Sequence, residues 1–411
     1  MSFVRKSADL TPIVDTVFAV IAKAKKDAAV NGDAVVNATI GSLYDEDNHL
    51  VAYDTVFNHY DAIDHRVKAS YAASFTGNPD YRDQVYQWVT YGQKLDLAHT
   101  VIATPGGSGA VSIGFTTFLD EGETVILPEI AWGSYALMAH ENNLNYITYK
   151  NFDGDSFNLE SLKECVSTVK AKQDRVVIVL NDPCQNPTGY CLKEQEWKDL
   201  VSYLNEASKD CDIILINDIA YIDYSYRSME EARHYMSYFN DLSDNVMVEI
   251  CFSCSKTLTS YGLRCGAAIV LAKKKEDVRD AEIIMEKKAR ATWSNIPNAA
   301  MANFVWTVTE NREAFLKEKQ KYIDLMRQRS SLFIKEAKDA ALDCYPYDEG
   351  FFVTLRIPDN AYRNRLHQAL MDNHIYTVSV NHGIRIAICS LPLAKVHGLA
   401  AKIKDIAEKT K

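Results

Sequence analysis

The 411-residue sequence lacks any apolar run long enough to cross a lipid bilayer, so no membrane-spanning helix is expected. Its first residues, MSFVRKSADLTPIV, also lack the hydrophobic stretch and the small-residue cleavage site of a secretory signal peptide. These two absences argue against a membrane protein and against a secreted one. We therefore expect a cytoplasmic protein.

Positive charge is in deficit as well. The chain has 45 Lys and Arg residues against 55 Asp and Glu residues, which gives a formal net charge of -10. Nucleic acids and anionic membranes attract proteins that carry an excess of positive charge. This balance therefore argues against a general nucleic-acid binder and against a protein that docks on anionic membranes.

The sequence also shows no disulfide framework, because its nine cysteines are odd in number and scattered through apolar segments. We expect reduced and mostly buried thiols. The C-x-x-C pair, Cys251 and Cys254, has neither a second pair nor a histidine at a spacing typical of zinc sites. No metal site is therefore predicted.

Repeats, low-complexity segments and Pro/Ser-rich linkers are missing, and the sequence instead alternates apolar strand-like segments with longer amphipathic helices. Strands buried on both faces are apolar at every position. Seven segments are short, rich in apolar residues and of β type: TVIATP, TVILPE, LNYITY, RVVIVLND, DIILIND, NVMVEICFS and GAAIVLA. The pattern predicts an α/β fold whose large domain has a mainly parallel sheet covered by helices.

The chain exceeds the usual size of one compact unit, so two domains are expected. We assign the large domain to residues 51–315. A helical N-terminal segment and the short strands GFFVTLRI and GIRIAICS predict a smaller α/β domain built from both chain ends, residues 1–50 and 316–411.

Chemically distinctive residues follow several of these strands, at the sheet edge where ligands of such folds bind. In ATPGGSGA a strand runs through glycines into a helix, which offers free N–H groups and a helix dipole to an anion. Asn186 lies in the turn NPTG and could donate to a ligand oxygen. Asp218 ends a buried strand and needs a cation or a donor there. The alternative roles are close packing for the glycine segment, turn formation for Asn186 and helix capping for Asp218.

The segment CFSCSKTLTSYGLRCGA adds a lysine and an arginine eight residues apart. Arg264 suits a phosphate, together with the hydroxyls of Ser253 and Ser255. Lys256 has small, uncharged neighbours, a setting that lowers the pKa of an amine and lets it act as a nucleophile. The alternative is a solvated surface lysine.

An amine nucleophile, a phosphate site, a carboxylate for a ring nitrogen, and an asparagine with a tyrosine for a phenolic oxygen are what pyridoxal phosphate requires of a protein. The sequence resembles the pyridoxal-phosphate aminotransferases of fold type I, and among them the aspartate aminotransferase family. Nearly the whole chain carries the resemblance, in the motifs NATIGSLYDEDNHL, YAASFTGNPDYR, TPGGSGA, PEIAWGSY, NPTG, NDIAY, SCSK, EKKARATWSN and GIRIAI. Each motif alone is weak, but their order and spacing together are specific.

The resemblance implies a role for each matching residue. Lys256 would bond to the cofactor aldehyde and later move a proton to and from the substrate α-carbon. Asp218 would keep the pyridine nitrogen protonated, and Trp132 would stack on the ring. Asn186 and Tyr221 would hydrogen-bond the phenolic oxygen, and Tyr221 counts among the catalytic residues. The phosphate would be held by Gly107, Ser108, Ser253, Ser255 and Arg264.

The same resemblance implies that Arg385 binds the substrate α-carboxylate. Arg290 would reach across a dimer interface to the distal carboxylate of aspartate or glutamate, and Tyr71 would reach across it to the cofactor phosphate. The expected assembly is a homodimer with shared active sites. The substrate site would be completed by Gly41, Trp132 and Asn186.

The resemblance favours an aspartate aminotransferase, which exchanges an amino group between L-aspartate and 2-oxoglutarate in two half-reactions and yields oxaloacetate and glutamate. A broad aromatic and dicarboxylic amino acid aminotransferase is an alternative that the motifs do not separate from it. A pyridoxal-phosphate-dependent C–S or decarboxylating lyase could use the same cofactor residues. Arg290 argues against the lyase, because such an enzyme has no general need to bind a distal carboxylate.

Four positions depart from the family pattern. Tyr135 replaces the histidine that supports the pyridine-binding aspartate in close relatives, so we expect the tuning of Asp218 to differ. The segment YAASFTG is one residue longer than expected around Tyr71. Gly106 replaces a hydroxyl residue in the phosphate loop, and Ile296 interrupts the usual double proline after Ser-Asn.

Overall fold

A computed structural model describes residues 3–4, 9–11 and 16–410 of the chain, so residues 13–15 of the expected N-terminal helix lie outside it. The α-helices are α1 (Thr16–Asn31), α2 (Asp54–Ala62), α3 (His65–Ala69), α4 (Pro79–Val89), α5 (Gly106–Phe118), α6 (Ser134–Glu141), α7 (Leu159–Lys170), α8 (Glu194–Ala207), α9 (Met229–Arg233), α10 (Cys254–Thr257), α11 (Lys275–Thr292), α12 (Asn298–Val308), α13 (Arg312–Asp339), α14 (Asn360–Asp372), α15 (Leu393–Val396) and α16 (Leu399–Thr410). The strands are β1 (Val36–Asn37), β2 (Ala98–Thr104), β3 (Thr124–Pro128), β4 (Asn145–Tyr149), β5 (Phe152–Asp153), β6 (Ser156–Phe157), β7 (Arg175–Asn181), β8 (Asp212–Asp218), β9 (Val246–Ser253), β10 (Gly266–Ala272), β11 (Phe352–Arg356), β12 (Ile375–Tyr376), β13 (Val378–Val380) and β14 (Gly383–Ala387).

Seven strands form the central sheet, in the order β2-β10-β9-β8-β7-β3-β4. All neighbouring strands are parallel except β10, which runs antiparallel to both β2 and β9. Each of the seven apolar segments that the sequence analysis interprets as strands contributes one strand of this sheet. The predicted α/β fold with a mainly parallel sheet is therefore confirmed.

The interior strands of the central sheet are buried on both faces, whereas the edge strand β4 is largely exposed. Val177 and Val179 of β7 belong to one buried cluster, shared with α5, α6 and α11. Val176 and Ile178 of the same strand belong to the cluster on the opposite face. Alternate residues of a strand point to opposite faces, which is why an uninterrupted apolar segment suits this sheet. Helices cover both faces, so the ends of the strands are where a ligand can reach the sheet.

A second, smaller layer combines both ends of the chain. Strands β11, β14 and β13 form an antiparallel sheet. Strand β1 pairs in parallel with β12, where Val36 lies beside Ile375 and Asn37 lies beside Tyr376. This pairing joins the N-terminal segment to the C-terminal region, as the sequence predicts for the smaller α/β unit. The residue limits given above for the two domains stay a prediction.

The cysteines and the helices agree with two expectations from the sequence, namely reduced and mostly buried thiols and no membrane-spanning helix. All nine cysteines are unpaired, and seven of them are buried. Within residues 16–410 and the short described segments before them, no helix is both long and apolar enough to span a membrane.

Candidate active site

Three neighbouring strands carry the predicted site residues to one edge of the central sheet. Asn181 at the end of β7 lies beside Asp218 at the end of β8, which in turn lies beside Cys251 of β9. The loop after β7 holds Asn186, and α10, directly after β9, holds Lys256. The carboxyl ends of parallel strands meet at the same edge of a sheet. One cleft, called the strand-end cleft here, therefore collects side chains that are far apart in the sequence.

Asp218 lies at the base of the strand-end cleft and is only 5% exposed. Its Oδ2 accepts a hydrogen bond from the Tyr135 hydroxyl at 2.5 Å, and its Oδ1 accepts one from the Ala220 N–H at 3.0 Å. Burial raises the pKa of the Asp218 carboxyl, and these two hydrogen bonds oppose the rise. The two donors thus offset part of the cost of burying the carboxylate form.

Aromatic rings form one wall of the strand-end cleft. Tyr135 lies in α6, and its ring meets that of Trp132 edge to face at 5.5 Å and 80°. Trp132 is half-buried and lines a cavity of about 1000 Å³, together with Tyr135, Asn186 and Arg385. The cavity leaves room for a planar ligand beside the Trp132 indole.

Lys256 extends from α10 into the same cleft. Its Nζ donates a hydrogen bond to the Gly41 carbonyl at 2.6 Å. The amine also lies near three ring faces, at 4.7 Å from the centroid of Tyr261, 5.4 Å from that of Tyr221 and 5.6 Å from that of Phe351. The structure therefore brings Lys256, Tyr221 and Gly41 together.

The electrostatic surroundings of Lys256 favour its neutral form. Burial lowers the pKa of Lys256 to about 8, the Cys389 thiol opposes this shift, and the positive charges of Arg385 and Arg264 add to it. No ion pair joins Lys256 to a carboxylate among the described residues. An amine with a pKa of about 8 is partly deprotonated near neutral pH, as a nucleophile or general base must be.

Arg385 is a buried cation without a carboxylate partner in the described part of the chain. It is 8% exposed, and its guanidinium lies 4.3 Å from the centroid of the Phe352 ring. Nη1 donates to Asn186 Oδ1 at 3.2 Å, Nη2 donates to the Thr39 carbonyl at 3.0 Å, and the buried Nε has no hydrogen-bond partner. A buried cation is costly unless an anion meets it. The guanidinium is thus prepared for a carboxylate ligand.

A possible phosphate site lies where α5 begins. Ser253 and Ser255 are buried, and Arg264 donates to Ser255 Oγ at 3.1 Å and to the Pro105 carbonyl at 3.1 Å. A Cβ on Gly107 would lie 3.3 Å from Ser253 Cβ, and one on Gly106 would lie 2.7 Å from Arg264 Nη2. The two glycines keep this corner open. With Ser108, they place the first N–H groups of α5 next to the hydroxyls and the guanidinium.

Two expected site residues lie elsewhere on the surface. Arg290, near the end of α11, is exposed, donates to Ser294 Oγ at 2.7 Å and stacks 4.6 Å from the Phe75 ring. Tyr71 is 84% exposed. Neither residue lines the cavity beside Trp132. Among the described residues of one chain, neither side chain is a hydrogen-bond partner of Asp218, Lys256 or Arg385.

Three groups of the cleft escaped the sequence analysis: the Tyr261 ring, the Thr39 carbonyl and the Cys389 thiol. Tyr261 and Thr39 lie inside segments that were singled out for other residues, SKTLTSYG and NATIGS. The position of Tyr261 as an aromatic residue among small ones was a usable signal. Cys389 gave no signal, because a cysteine in an apolar segment is usually plain core packing. Ile296, which departs from the family pattern, is buried in the core.

Comparisons with a family model and with curated proteins both match this chain to aminotransferases. The family model described as aminotransferase class I and II matches residues 33–403. A curated relative, the mitochondrial aspartate aminotransferase of Gallus gallus, is 24% identical over 222 residues, which cover 52% of this chain and 50% of that protein. The chain thus spans about half the length of the curated relatives it matches.

Solved structures resemble the whole chain. An aminotransferase from Anaerococcus prevotii DSM 20548 superposes with a TM-score of 0.94 at 30% identity, covering 100% of both chains. An aromatic-amino-acid aminotransferase from Burkholderia pseudomallei, covalently bound to pyridoxal phosphate, superposes with a TM-score of 0.79 at 21% identity, covering 99% of this chain and 100% of that one. At that identity the second likeness is one of fold.

Proposed function

This chain belongs to the class I and II aminotransferases, and from that membership we propose that it is a pyridoxal-phosphate-dependent enzyme that transfers an amino group from an amino acid to a 2-oxo acid. One observation carries the proposal. The Lys256 amine, with its lowered pKa, and the Arg385 guanidinium share a cleft with the Asp218 carboxylate, and neither cation forms an ion pair with a carboxylate of the described residues. Amine, carboxylate and guanidinium are the groups that covalent attachment, a ring nitrogen and a substrate carboxylate require.

The residues of the strand-end cleft fit pyridoxal phosphate. The glycine-lined corner between α5 and Arg264 is a space that a Cβ would fill, and it offers N–H groups, hydroxyls and a cation to a phosphate. Asp218 would hold the ring nitrogen, Trp132 would cover one ring face, and Asn186 and Tyr221 would hold the phenolic oxygen. The phosphate would be held by Gly107, Ser108, Ser253, Ser255 and Arg264.

When bound, the cofactor supplies an electron-accepting ring that makes the α-hydrogen of an attached amino acid acidic. Lys256 Nζ takes that proton as general base and returns it as general acid, a role suited to an amine with a pKa of about 8. Arg385 fixes the α-carboxylate through a two-point contact and so orients the α-hydrogen toward Lys256. Tyr135 and the Ala220 N–H favour the charged form of Asp218 and oppose the rise in its pKa that burial causes.

For the substrate, we propose the pair L-aspartate and 2-oxoglutarate. Both are dicarboxylates, so a second cation beyond Arg385 is required. Arg290 is exposed, pairs with no carboxylate in the described residues, and does not line the cavity beside Trp132 of its own chain, which supports a role in the partner subunit's site. The exposed Tyr71 supports the same arrangement. The homodimer and the cytoplasmic location are part of this proposal.

A broad aromatic and dicarboxylic amino acid aminotransferase is the second candidate. The observation that favours it is the size of the cavity beside Trp132, about 1000 Å³, which can accommodate an aromatic ring as well as a short carboxylate. Its walls include the aromatic rings of Trp132, Tyr135 and Tyr146. Ring faces pack well against an aromatic substrate.

The first test is the absorbance spectrum of the purified, pyridoxal-phosphate-loaded protein before and after L-aspartate is added without a 2-oxo acid. We expect the aldehyde form of the cofactor to be converted to its amine form, with one oxaloacetate released per site. L-Phenylalanine in a parallel titration separates the two candidates. A cofactor spectrum that neither amino acid changes would contradict the proposed activity, and Lys256→Ala provides the inactive control.

A further inference from the structure

A second cluster of charges contacts Thr257, the residue that follows Lys256. Its centre is Asp223, whose Oδ1 meets Arg233 Nη2 at 2.8 Å and Lys319 Nζ at 3.4 Å. All three side chains are at most 4% exposed. Asp223 Oδ2 accepts hydrogen bonds from Trp88 Nε1 at 2.9 Å and from Thr257 Oγ1 at 2.6 Å. One carboxylate therefore faces two buried cations, which leaves one buried positive charge without an anion.

A third cation adds to this surplus. Arg312, at the start of α13, lies 5.2 Å from the Trp88 ring and 4.8 Å from the Tyr91 ring, and no carboxylate of the described residues pairs with it. Ring faces partly offset a cation but do not neutralise it. Burial lowers the pKa of Lys319, Asp223 opposes this shift, and Arg233 and Arg312 add to it. In a chain with a net charge of -10, this is a marked local excess of positive charge.

The excess faces a cavity of about 410 Å³, separate from the cavity beside Trp132. Arg312, Lys319, Arg233 and the hydroxyl residues Ser225 and Ser228 line it. Besides Asp223, the other carboxylate in its lining is the exposed Glu230. A further cation in the lining, Arg227, already pairs with Glu349 at 2.8 Å. Three cations against two carboxylates leave a net positive charge even when Glu230 is counted.

We infer that this cavity binds a small oxyanion, such as inorganic phosphate or sulfate, between Arg312 and Lys319. An oxyanion accepts several charge-assisted hydrogen bonds at once, which a guanidinium, an ammonium and neighbouring hydroxyls can supply together. Its charge would complete the neutralisation that Asp223 begins. The site adjoins the candidate active site through Thr257, which hydrogen-bonds Asp223 and directly follows Lys256.

The test is calorimetric titration of the full chain with sodium sulfate at constant ionic strength, after loading with pyridoxal phosphate so that the phosphate corner at Arg264 is filled. We expect one saturable sulfate per chain. Arg312→Gln, which removes the charge but keeps the polar stem, should weaken binding at least about tenfold, the loss expected for one charge-assisted hydrogen bond. Lys317→Gln removes an exposed lysine from the same helix and should leave binding unchanged.

Two further measurements separate a loss of sulfate binding caused by the removed charge from one caused by unfolding. Urea unfolding of Arg312→Gln shows whether the variant is folded, and Lys319→Met tests the same cavity through a second cation. An absence of saturable binding to the wild type would overturn the inference. If the chain does not take up pyridoxal phosphate, the proposed function fails, and sulfate could then enter the corner at Arg264. Loss of binding in Arg264→Gln, but not in Arg312→Gln, would assign the ion to that corner and overturn the inference as well.

Discussion

The lowered pKa of Lys256 predicts how the stability of the cofactor-free protein depends on pH. The pKa is about 8 in the folded chain, against 10.5 for an ordinary lysine. Below pH 8 the amine is charged in both the folded and the unfolded chain, and the folded state carries the full cost of the buried charge. Between the two values the unfolded chain binds more protons, so stability rises with pH. Above 10.5 the cost is gone.

The size of this effect follows from the shift. A difference of 2.5 pKa units, from 10.5 to about 8, corresponds to roughly 3 kcal/mol at low pH, at about 1.4 kcal/mol per unit. Because a lysine loses its proton gradually, we expect about 2 kcal/mol of this cost to disappear between about pH 7 and about pH 9.5. Lys256→Met removes the titrating group while keeping an unbranched apolar stem. The wild type should therefore gain about 2 kcal/mol relative to the variant over that interval.

The assay is urea unfolding of both proteins, stripped of cofactor, at several pH values. Lys256→Met also loses the hydrogen bond to the Gly41 carbonyl, which costs the variant a pH-independent amount of about 1–3 kcal/mol. The change of the unfolding free energy with pH is therefore diagnostic, whereas the absolute difference in unfolding free energy between the two proteins is not. Lys317→Met, at an exposed position of α13, is the matched control and should run parallel to the wild type. Parallel curves for Lys256→Met and the wild type would refute the reasoning.

Two more predictions concern residues around the cleft. Tyr135→Phe removes the 2.5 Å hydrogen bond to Asp218 and with it about 1.5–3 kcal/mol of preference for the carboxylate form. We expect transamination to fall by about ten- to a hundredfold and cofactor affinity, measured by fluorescence titration, to weaken; an unchanged affinity and pH profile would exclude a positioning role. Arg290→Ala should reduce turnover of L-aspartate far more than that of neutral amino acids, whereas Lys287→Ala, an exposed cation on the same helix, should reduce neither. Equal losses on both substrate classes would remove Arg290 from substrate specificity.

The central sheet could be predicted from the sequence because the pattern that indicates each strand lies within a few consecutive residues. The interior strands are short apolar segments bounded by polar residues, as burial on both faces requires, and the more polar edge strand β4 is largely exposed. The meeting of Asn186, Asp218 and Lys256 could also be inferred, since Asp218 ends β8 and the other two lie in the segments that follow β7 and β9. Once the strands are parallel neighbours, their carboxyl ends lie at one edge whatever their separation along the chain.

The contacts that tune these residues could not be predicted in the same way. Gly41 lies 215 residues before Lys256, and Thr39 lies 346 residues before Arg385. Neither contact leaves a local pattern, because tertiary packing alone brings the partners together: Gly41 meets Lys256 where the smaller layer docks on the sheet edge, and Thr39 meets Arg385 within the smaller layer. The pairing of Lys319 with Asp223 is similar: a lysine in a helix rich in charged residues suggests solvation, and only tertiary packing buries it.

The charge balance of the strand-end cleft suggests how ligands act on Lys256. Asp218 is the carboxylate at its base, while Arg385 and Arg264 are cations whose charge lowers the pKa of Lys256. An anion bound at Arg264 or a carboxylate bound at Arg385 cancels part of that repulsion, so the proton affinity of the amine rises as each anion arrives. Burial by the ligands acts in the opposite direction, because it disfavours the charged amine. Bound anions therefore raise the pKa of Lys256 through their charge and lower it through burial, so the two effects of a ligand on this amine oppose each other.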